Sequence, residues 1–543
     1  MRGKDLLLAA GSGLLLVLAF PRFDLEPLAW VALLPLLWSL REKAPPGAAL
    51  LGFLTGLVFF AGTLYWIYVV LTRYGHLPPT LSVFFLAVLV AYLALYFSAF
   101  AFLLSWLGQS GLAGEVLWAA ALWVALEYLR GLLLSGFPWV LLGYSQFKTL
   151  PLVQISEVTG VYGVSFAIVL VNFLLFRLLV GLGGGGWKEG LKSGAAALAI
   201  LVALALHGHF RLQQMDGQAS PSFTVALIQG NIRQDEKWEP SFQEETVRIY
   251  NDLTRQVKKR HPDLIVWPET ATPFFFQTDP LGRRITDLVQ EVGAPLLLGA
   301  PSFERRGSQF RYYNSAFLLS STGGILGRYD KIHLVPFGEY APLSGFLGFT
   351  REIIGALGDF TPGEGVQVLA FPGGRLGVLI CYEAIFPDLT RRFADAGAEL
   401  LVNITNDAWF GRTSAPYQHF AMAALRAVEN RRPVVRAANT GISGVIAPSG
   451  RITASSGLFT REVLWGNISK GESRTFYSKF GDLFAYLCLA AVLFLIIQRK
   501  RSGRVERSSR SNRLPERPDP DPARSSLTWS RKPPACKRSS KRP

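Results

Sequence analysis

The segment Gly377-Val-Leu-Ile-Cys-Tyr-Glu383 sets a thiol directly behind three aliphatic residues. Val378, Leu379 and Ile380 make a short continuous apolar run, the pattern of a strand buried on both faces of an α/β layered sheet. Cys381 stands where that strand ends, followed at once by Tyr382 and the carboxylate of Glu383. A thiolate there is a strong nucleophile and a workable leaving group. Most free cysteines, however, are small apolar core residues, so the surroundings must choose between the two roles.

Outward from this segment, apolar strand-like runs recur at Phe223–Gln229, Leu264–Trp267, Pro295–Ala300, Ala316–Ser320, Leu400–Ile404 and Val434–Ala437. Helical patterns lie between some of them: Phe242–Lys259, with Val247, Tyr250, Leu253 and Val257 on one face, then Arg283–Val292 and Thr413–Asn430. Strands alternating with helices over about 250 residues describe one α/β layered domain. Two other polar residues in it have unusual settings. Glu269 follows Leu264-Ile-Val-Trp-Pro, and Lys331 sits in the largely apolar Tyr329-Asp-Lys-Ile-His-Leu-Val-Pro-Phe337. Strand ends are where α/β folds assemble sites. There Glu269 can take the thiol proton, Cys381 attack a carbonyl and Lys331 stabilise the oxyanion. Each also has a plainer role, a helix cap or ion pair for Glu269 and a snorkelling strand-edge amine for Lys331. His333 or His419 could serve a cysteine protease as base, but neither lies in a protease signature. The separations of His261, His333 and His419 match no metal motif, so no metal is expected.

The remainder of the 543 residues is of another kind. Half of the chain is hydrophobic, mean hydropathy is +0.28 and only 17% is charged, too apolar for an ordinary soluble protein. Apolar segments occur at Leu6–Phe20, Leu28–Leu40, Ala48–Val70, Leu81–Leu107, Leu112–Leu134, Val161–Leu182 and Ser193–His207, and one more at Leu483–Ile497. Most approach the roughly 20 residues a membrane helix requires; the second and seventh are short. The first follows Met-Arg-Gly-Lys-Asp without a small-residue cleavage site, so it is expected to be a retained helix. The expected architecture is a polytopic α-helical membrane domain of about eight spans plus an extracytoplasmic α/β domain. The expected divisions are 1–210 with seven helices, 211–478, a return helix at 479–498, and a basic, disordered tail at 499–543.

Charge gives the orientation. Arg2 and Lys4, Arg41 and Lys43, Lys188 and Lys192, and Arg499-Lys500-Arg501 all fall on one side if the spans alternate, placing both termini in the cytoplasm. From Arg499 onward the chain carries +11 of its formal +16, so the remainder is mildly basic and no nucleic-acid partner is indicated. The three cysteines, Cys381, Cys488 and Cys536, are far apart and form no CxxC pair, and Cys381 is the only one expected outside the membrane.

Glu269, Lys331 and Cys381, each in its local setting, resemble the Glu-Lys-Cys triad of the nitrilase superfamily of carbon–nitrogen hydrolases. Longer stretches narrow the likeness to its membrane branch, the apolipoprotein N-acyltransferases: Trp267-Pro-Glu-Thr-Ala-Thr-Pro273, Tyr329 through Gly-Glu-Tyr-Ala-Pro342, Ile380-Cys-Tyr-Glu-Ala-Ile-Phe-Pro387, Asn403-Ile-Thr-Asn-Asp-Ala-Trp-Phe-Gly411, Gln418-His419, and Arg426 through Asn439-Thr-Gly-Ile-Ser-Gly444. The resemblance implies an α-β-β-α sandwich on the periplasmic face of a bacterial inner membrane, with no cofactor. It also implies ping-pong acyl transfer. A phospholipid gives its sn-1 chain to Cys381 as a thioester. The α-amine of the N-terminal diacylglyceryl-cysteine of an apolipoprotein then takes the chain as an amide, the last step of lipoprotein maturation. By the same likeness Glu269 is the general base, Lys331 the oxyanion stabiliser, Glu339 and Glu383 supporting carboxylates, Tyr382 a backbone oxyanion donor and Trp238 a residue near the lipid site. Partners are then the phospholipid donor, the diacylglyceryl-apolipoprotein acceptor and membrane lipids, with the protein monomeric. The alternative is a membrane-tethered nitrilase-type amidase acting on a small amide. Phe274-Phe-Phe276 and Phe346-Leu-Gly-Phe349 are candidates to dip into the headgroup layer or gate the pocket. The basic tail has no counterpart in the family pattern.

Overall fold

Val378, Leu379 and Ile380 do lie in a strand, inside one of two facing six-stranded sheets. The computed structural model describes residues 2–108, 114–216, 222–340, 360–471 and 474–511. The first sheet is built from β1 (Ser222–Gln229), β2 (Leu264–Val266), β3 (Leu296–Arg306), β4 (Gln309–Leu319), β5 (Ile325–Asp330) and β12 (Glu462–Ser469), in the order β12-β1-β2-β3-β4-β5. The second contains β6 (Val368–Phe371), β7 (Gly374–Ile380), β8 (Leu400–Thr405), β9 (Val434–Ala438), β10 (Gly444–Ile446) and β11 (Ile452–Ser455), in the order β11-β10-β9-β8-β7-β6. Each sheet has the same plan. Three parallel strands, β1-β2-β3 and β7-β8-β9, form the centre, and antiparallel strands flank them. Parallel neighbours need helical crossovers. These come from the helices Gln243–Arg255 and Leu281–Val292 in the first sheet, and Pro387–Asp395 and Ala415–Asn430 in the second. With a helix layer on one side and a sheet on the other, every residue of β8 and β9 is buried.

The apolar segments are helical too: α1 (Gly3–Ala19), α2 (Leu34–Leu40), α3 (Pro45–Leu64), α4 (Pro79–Gly108), α5 (Glu115–Arg130), α6 (Val161–Val180) and α7 (Trp187–Asp216) precede the sheets. Continuing that numbering, the four crossovers are α8 to α11, and α12 is Leu483–Ser511. Among the described residues five helices are long and apolar enough to cross a membrane, Pro45–Leu64, Pro79–Gly108, Val161–Gly184, Trp187–Met215 and Leu483–Arg501. At about 1.5 Å per residue, the 17 residues of α1 and 16 of α5 fall short of a hydrocarbon core of about 30 Å.

Two expectations about these segments need correction. Leu28–Leu40 is not one helix: a 3₁₀ turn over Glu26–Trp30 breaks before α2. Asn172 of α6 satisfies the broken backbone, accepting from Leu33 N and donating to the Ala29 carbonyl, each at 2.9 Å. Ser193–His207 is not short but lies within the 30 residues of α7, because the helix continues through Lys188, Lys192 and Arg211, which end the apolar run without ending the helix. A third correction concerns Phe274 and Phe276. Both are 6% exposed and pack in the core beneath the first sheet, against Ile285, Leu288 and Phe317, so they do not reach a headgroup layer. Phe275 is half-buried between Phe303 and Tyr312. Phe346–Phe349 lies outside the described residues, as do Cys536 and the tail from Asn512.

Candidate active site

The site forms where loops leave the ends of β2, β5, β7 and β8. Cys381 is the first residue after β7 and opens a 3₁₀ turn, Cys381–Ile385, with φ +53°. A left-handed conformation costs a non-glycine residue about 1–2 kcal/mol, so the surroundings must hold it. Glu383 does part of this. One carboxylate oxygen accepts from Ile380 N at 2.7 Å; the other accepts from Tyr329 OH at 2.8 Å, Ile332 N at 2.7 Å and His333 N at 3.1 Å. Burial pushes the Glu383 carboxyl up to about 7, opposed by these backbone N–H groups. Glu383 thus ties the loop carrying Lys331 to the turn carrying Cys381.

Lys331 follows β5 directly and is 1% exposed. Its Nζ donates to Glu339 Oε1 at 2.9 Å and stands 3.7 Å from Glu269 Oε1. Burial opposes the ammonium, but Glu339 and then Glu269 outweigh it and hold Lys331 above the ordinary lysine range. Asn314 Nδ2 donates to Glu269 Oε1 and Glu339 Oε1, both at 2.8 Å, and Asn406 N donates to Glu269 Oε2 at 2.9 Å. Val335 N fixes the second Glu339 oxygen at 2.8 Å. Glu269 is therefore oriented at both oxygens. Burial, and next the Glu269 charge, push the Cys381 thiol well above its ordinary value, with Lys331 opposing. Cys381 is thereby held as the neutral thiol.

Glu269, Lys331 and Glu339 thus share one buried cluster beside Cys381. Trp238 is 37% exposed, and the Tyr382 ring packs on Phe386 at 5.2 Å. Of the histidines, His333 stacks on Phe386 and burial holds it down at about 4, His261 is exposed, and His419 contacts the carbonyl of Cys381.

Sequence reasoning missed several groups. Lys237 is 2% exposed and donates to the Glu269 carbonyl at 3.2 Å. Burial pulls it down to about 8, against the attraction of Glu269 and Cys381. It adjoins Trp238, but nothing in the local pattern marks it as buried. Asn314 lies inside β4 with no signal at all. Asn406 and Asp407 lie in the Asn403–Gly411 stretch without having been singled out.

Helix α11 carries the site into the apolar helices. All of its residues but Tyr417 are buried. Trp139 Nε1 donates to Gln418 Oε1 at 2.7 Å, and Gln418 Nε2 donates to the Pro21 and Thr63 carbonyls at 3.2 and 3.1 Å. Glu429 Oε1 accepts from Val161 N at 3.0 Å and from Arg426 Nη2 at 2.9 Å, and Arg426 Nη2 also reaches Tyr144 OH at 2.9 Å. Just past the helix, Arg431 donates to Glu157 and Gln154, each at 2.7 Å.

A family model described as apolipoprotein N-acyltransferase N-terminal domain matches residues 12–174, and one described as carbon-nitrogen hydrolase matches residues 224–476. An apolipoprotein N-acyltransferase of Geobacter metallireducens is 48% identical over 507 residues, spanning 92% of this chain and 96% of its own. One from Methylococcus capsulatus is 38% identical over 513 residues, spanning 92% and 97%. Among solved structures, an amidase from Nesterenkonia sp. is similar over 46% of this chain and 92% of its own, at 22% identity and a TM-score of 0.36.

Proposed function

The chain belongs to the apolipoprotein N-acyltransferase family, and on that premise we propose that Cys381 carries the acyl group between a membrane phospholipid and an apolipoprotein. It is an inner-membrane acyltransferase of the carbon–nitrogen hydrolase superfamily, acting at the last step of lipoprotein maturation.

In the first half-reaction Glu269 takes the Cys381 proton and the sulfur attacks the ester carbonyl of the donor. Lys331 faces the developing oxyanion with an ammonium that Glu269 and Glu339 keep charged. Collapse breaks the ester C–O bond, and Glu269 returns the proton to the departing lysophospholipid oxygen. In the second, the neutral α-amine of a diacylglyceryl-cysteine attacks the thioester, the C–S bond breaks, and the amine's proton passes through Glu269 to the sulfur. The acyl carrier is the enzyme's own sulfur throughout. The observation that carries this reading is the strained, buried Cys381 beside the Glu269–Lys331–Glu339 cluster, on a domain bonded to apolar helices. Drawing an acyl chain wholly out of a bilayer costs about 0.8 kcal/mol per methylene, and a site held at the membrane avoids that transfer. The amidase alternative uses the same triad but leaves those helices without a part. The hydrolase domain facing the periplasm, both termini in the cytoplasm and a monomeric protein complete the proposal, consistent with the basic loops on one side.

The test is incubation of the purified chain with a phospholipid labelled in its sn-1 chain, followed by intact mass. One acyl adduct that is absent from Cys381→Ser is expected. No adduct, with turnover of a small soluble amide instead, would replace this reading by the amidase.

A further inference from the structure

We propose that His419 is a positioning residue for the nucleophile, holding the Cys381 carbonyl and so the left-handed turn that presents the sulfur, and that the membrane domain completes this support through Trp139. The proposal rests on the thioester reading above and adds to it a residue that touches neither substrate.

The His419 Nε2 lies 3.1 Å from the Cys381 carbonyl oxygen. A carbonyl only accepts, so Nε2 must carry a hydrogen. At the other ring nitrogen, Nδ1, stand Arg436 Nη2 at 3.0 Å and Asp407 Oδ1 at 3.1 Å. Arg436 is placed to donate. Its Nη2 also donates to Asp407 Oδ2 at 2.7 Å, its Nη1 to Asn403 Oδ1, and its Nε to the Ile442 carbonyl at 3.2 Å. Arg436 and Asp407 are 0% and 1% exposed and neutralise each other, leaving the imidazole neutral as the Nε2–H tautomer. Burial, then the Arg436 charge, keeps His419 below its ordinary value, in agreement with that tautomer. This is not the arrangement of a general base, because the Nε2 lone pair that would accept a thiol proton is absent and the ring faces the carbonyl.

Cys381 opens the 3₁₀ turn, so its carbonyl also takes the turn's i to i+3 backbone bond, and the other side-chain donor near it among the described residues is Asn403 Nδ2, at 3.4 Å, with its closer bond, 2.9 Å, to the Leu379 carbonyl. Among the described residues His419 is therefore the nearest side-chain donor on the peptide that follows the Cys381 α-carbon, adding to the turn's own backbone bond. The ring is held from inside the sandwich by Arg436, Asp407 and Phe410 and from outside it by Trp139. Trp139 lies against the His419 ring with centroids 5.6 Å apart, Phe410 packs on its edge at 6.3 Å, Trp66 packs on both Trp139 and Phe410 at 4.9 Å, and Trp139 lies 6.0 Å from Phe410. Trp139 also donates to Gln418, the residue before His419. A chain of direct contacts thus runs from the apolar helices through Trp139 and His419 to the backbone of Cys381.

The experiment compares single-turnover acylation by full-length wild type, His419→Gln and His419→Leu in mixed micelles of a phosphatidylethanolamine labelled in its sn-1 chain. It is read by intact mass from pH 5.5 to 8.5, roughly spanning the neutral imidazole range, with thermal unfolding of each variant alongside. Glutamine keeps an N–H near the Nε2 position and a carbonyl for Arg436; leucine keeps volume alone. His419→Leu is expected to lose about 100-fold in acylation rate with the dependence on donor concentration unchanged, as a misplaced nucleophile does. His419→Gln is expected to stay within about tenfold, the worth of one weakened hydrogen bond, with the wild-type pH profile. Wild-type rates in His419→Leu would overturn the proposal. So would a folded His419→Gln that falls as far as leucine or loses its acid limb, the result for a histidine base. Should His419→Leu not fold, His419→Gln decides alone by the same criteria. Absence of an adduct in the wild type would overturn the thioester reading itself, a failure distinct from any difference among the variants.

Discussion

Glu269 and Lys331 face one another across 3.7 Å with Asn314 and Asn406 fixing the carboxylate, so the proton transfer and charge stabilisation we propose for them would act from preset positions. Glu269→Gln keeps the shape and removes the base; thioester formation should fall by about 10²–10⁴ at neutral pH, measured by rapid-quench mass analysis. Gly299 of β3 offers a finer test. A Cβ there would stand 2.6 Å from the Pro268 carbonyl and Thr270 N and 2.7 Å from Glu269 Cα, all backbone, so Gly299→Ala must shift the base. A loss of about tenfold or more is expected without change in Cys381 alkylation by a small maleimide. Lys237 gives the pH prediction. Its folded value is depressed to about 8, so its charge is present below that pH and lost above it. Wild-type acylation should decline above about pH 8, and Lys237→Met should be slower by about tenfold and lack that decline. Glu269 and Cys381 were legible because each follows an apolar strand, and Lys331 because it interrupts a largely apolar run. Lys237, Asn314 and the Arg436–Asp407–His419 group were not, since a polar residue's burial depends on what packs over it from distant sequence.

Among the elements, β7 and α11 govern the site. The strands visible from sequence were those buried along their whole length, such as β8 and β9. Strands β3 and β4 extend beyond their apolar halves into an exposed hairpin, where Glu304, Arg305 and Arg306 replace the apolar run, and only the buried half was legible. Strand β5 begins exposed and β11 alternates between half-buried and exposed, so neither shows a continuous apolar run. Phe274 and Phe276 illustrate the converse limit, since an aromatic run has the same letters in a core and at a membrane surface. Helix α11 supplies the prediction at this scale. Arg426 and Glu429 are both fully buried, so Glu429→Ala leaves a buried guanidinium without its carboxylate. It should destabilise the protein by about 3–5 kcal/mol, and Glu429→Gln by less, in detergent-solubilised thermal unfolding.

For the molecule as a whole, the decisive bonds join parts remote in sequence. Trp139 and Gln418 are 279 residues apart, Glu157 and Arg431 274. No local pattern announces such pairs, which is why membrane helices and a hydrolase sandwich were separately legible while their joint was not. The chain from Met1 to Leu495 clusters as one unit, and these buried bonds should make it unfold as one. Tryptophan fluorescence and maleimide access to Cys381 are expected to follow one thermal transition; two separated transitions would mean the joint is weak. On the proposed mechanism the sulfur held at that joint carries every chain that reaches the peptide. The most direct measurement of this is a chase: isolate the enzyme acylated from labelled phospholipid, add a diacylglyceryl lipopeptide with a free α-amine, and follow enzyme and peptide masses together. The label should leave Cys381 at the rate at which N-acylated peptide appears, one chain per enzyme. A thioester that persists while peptide is acylated by free phospholipid, or one that water discharges with no peptide product, would contradict it.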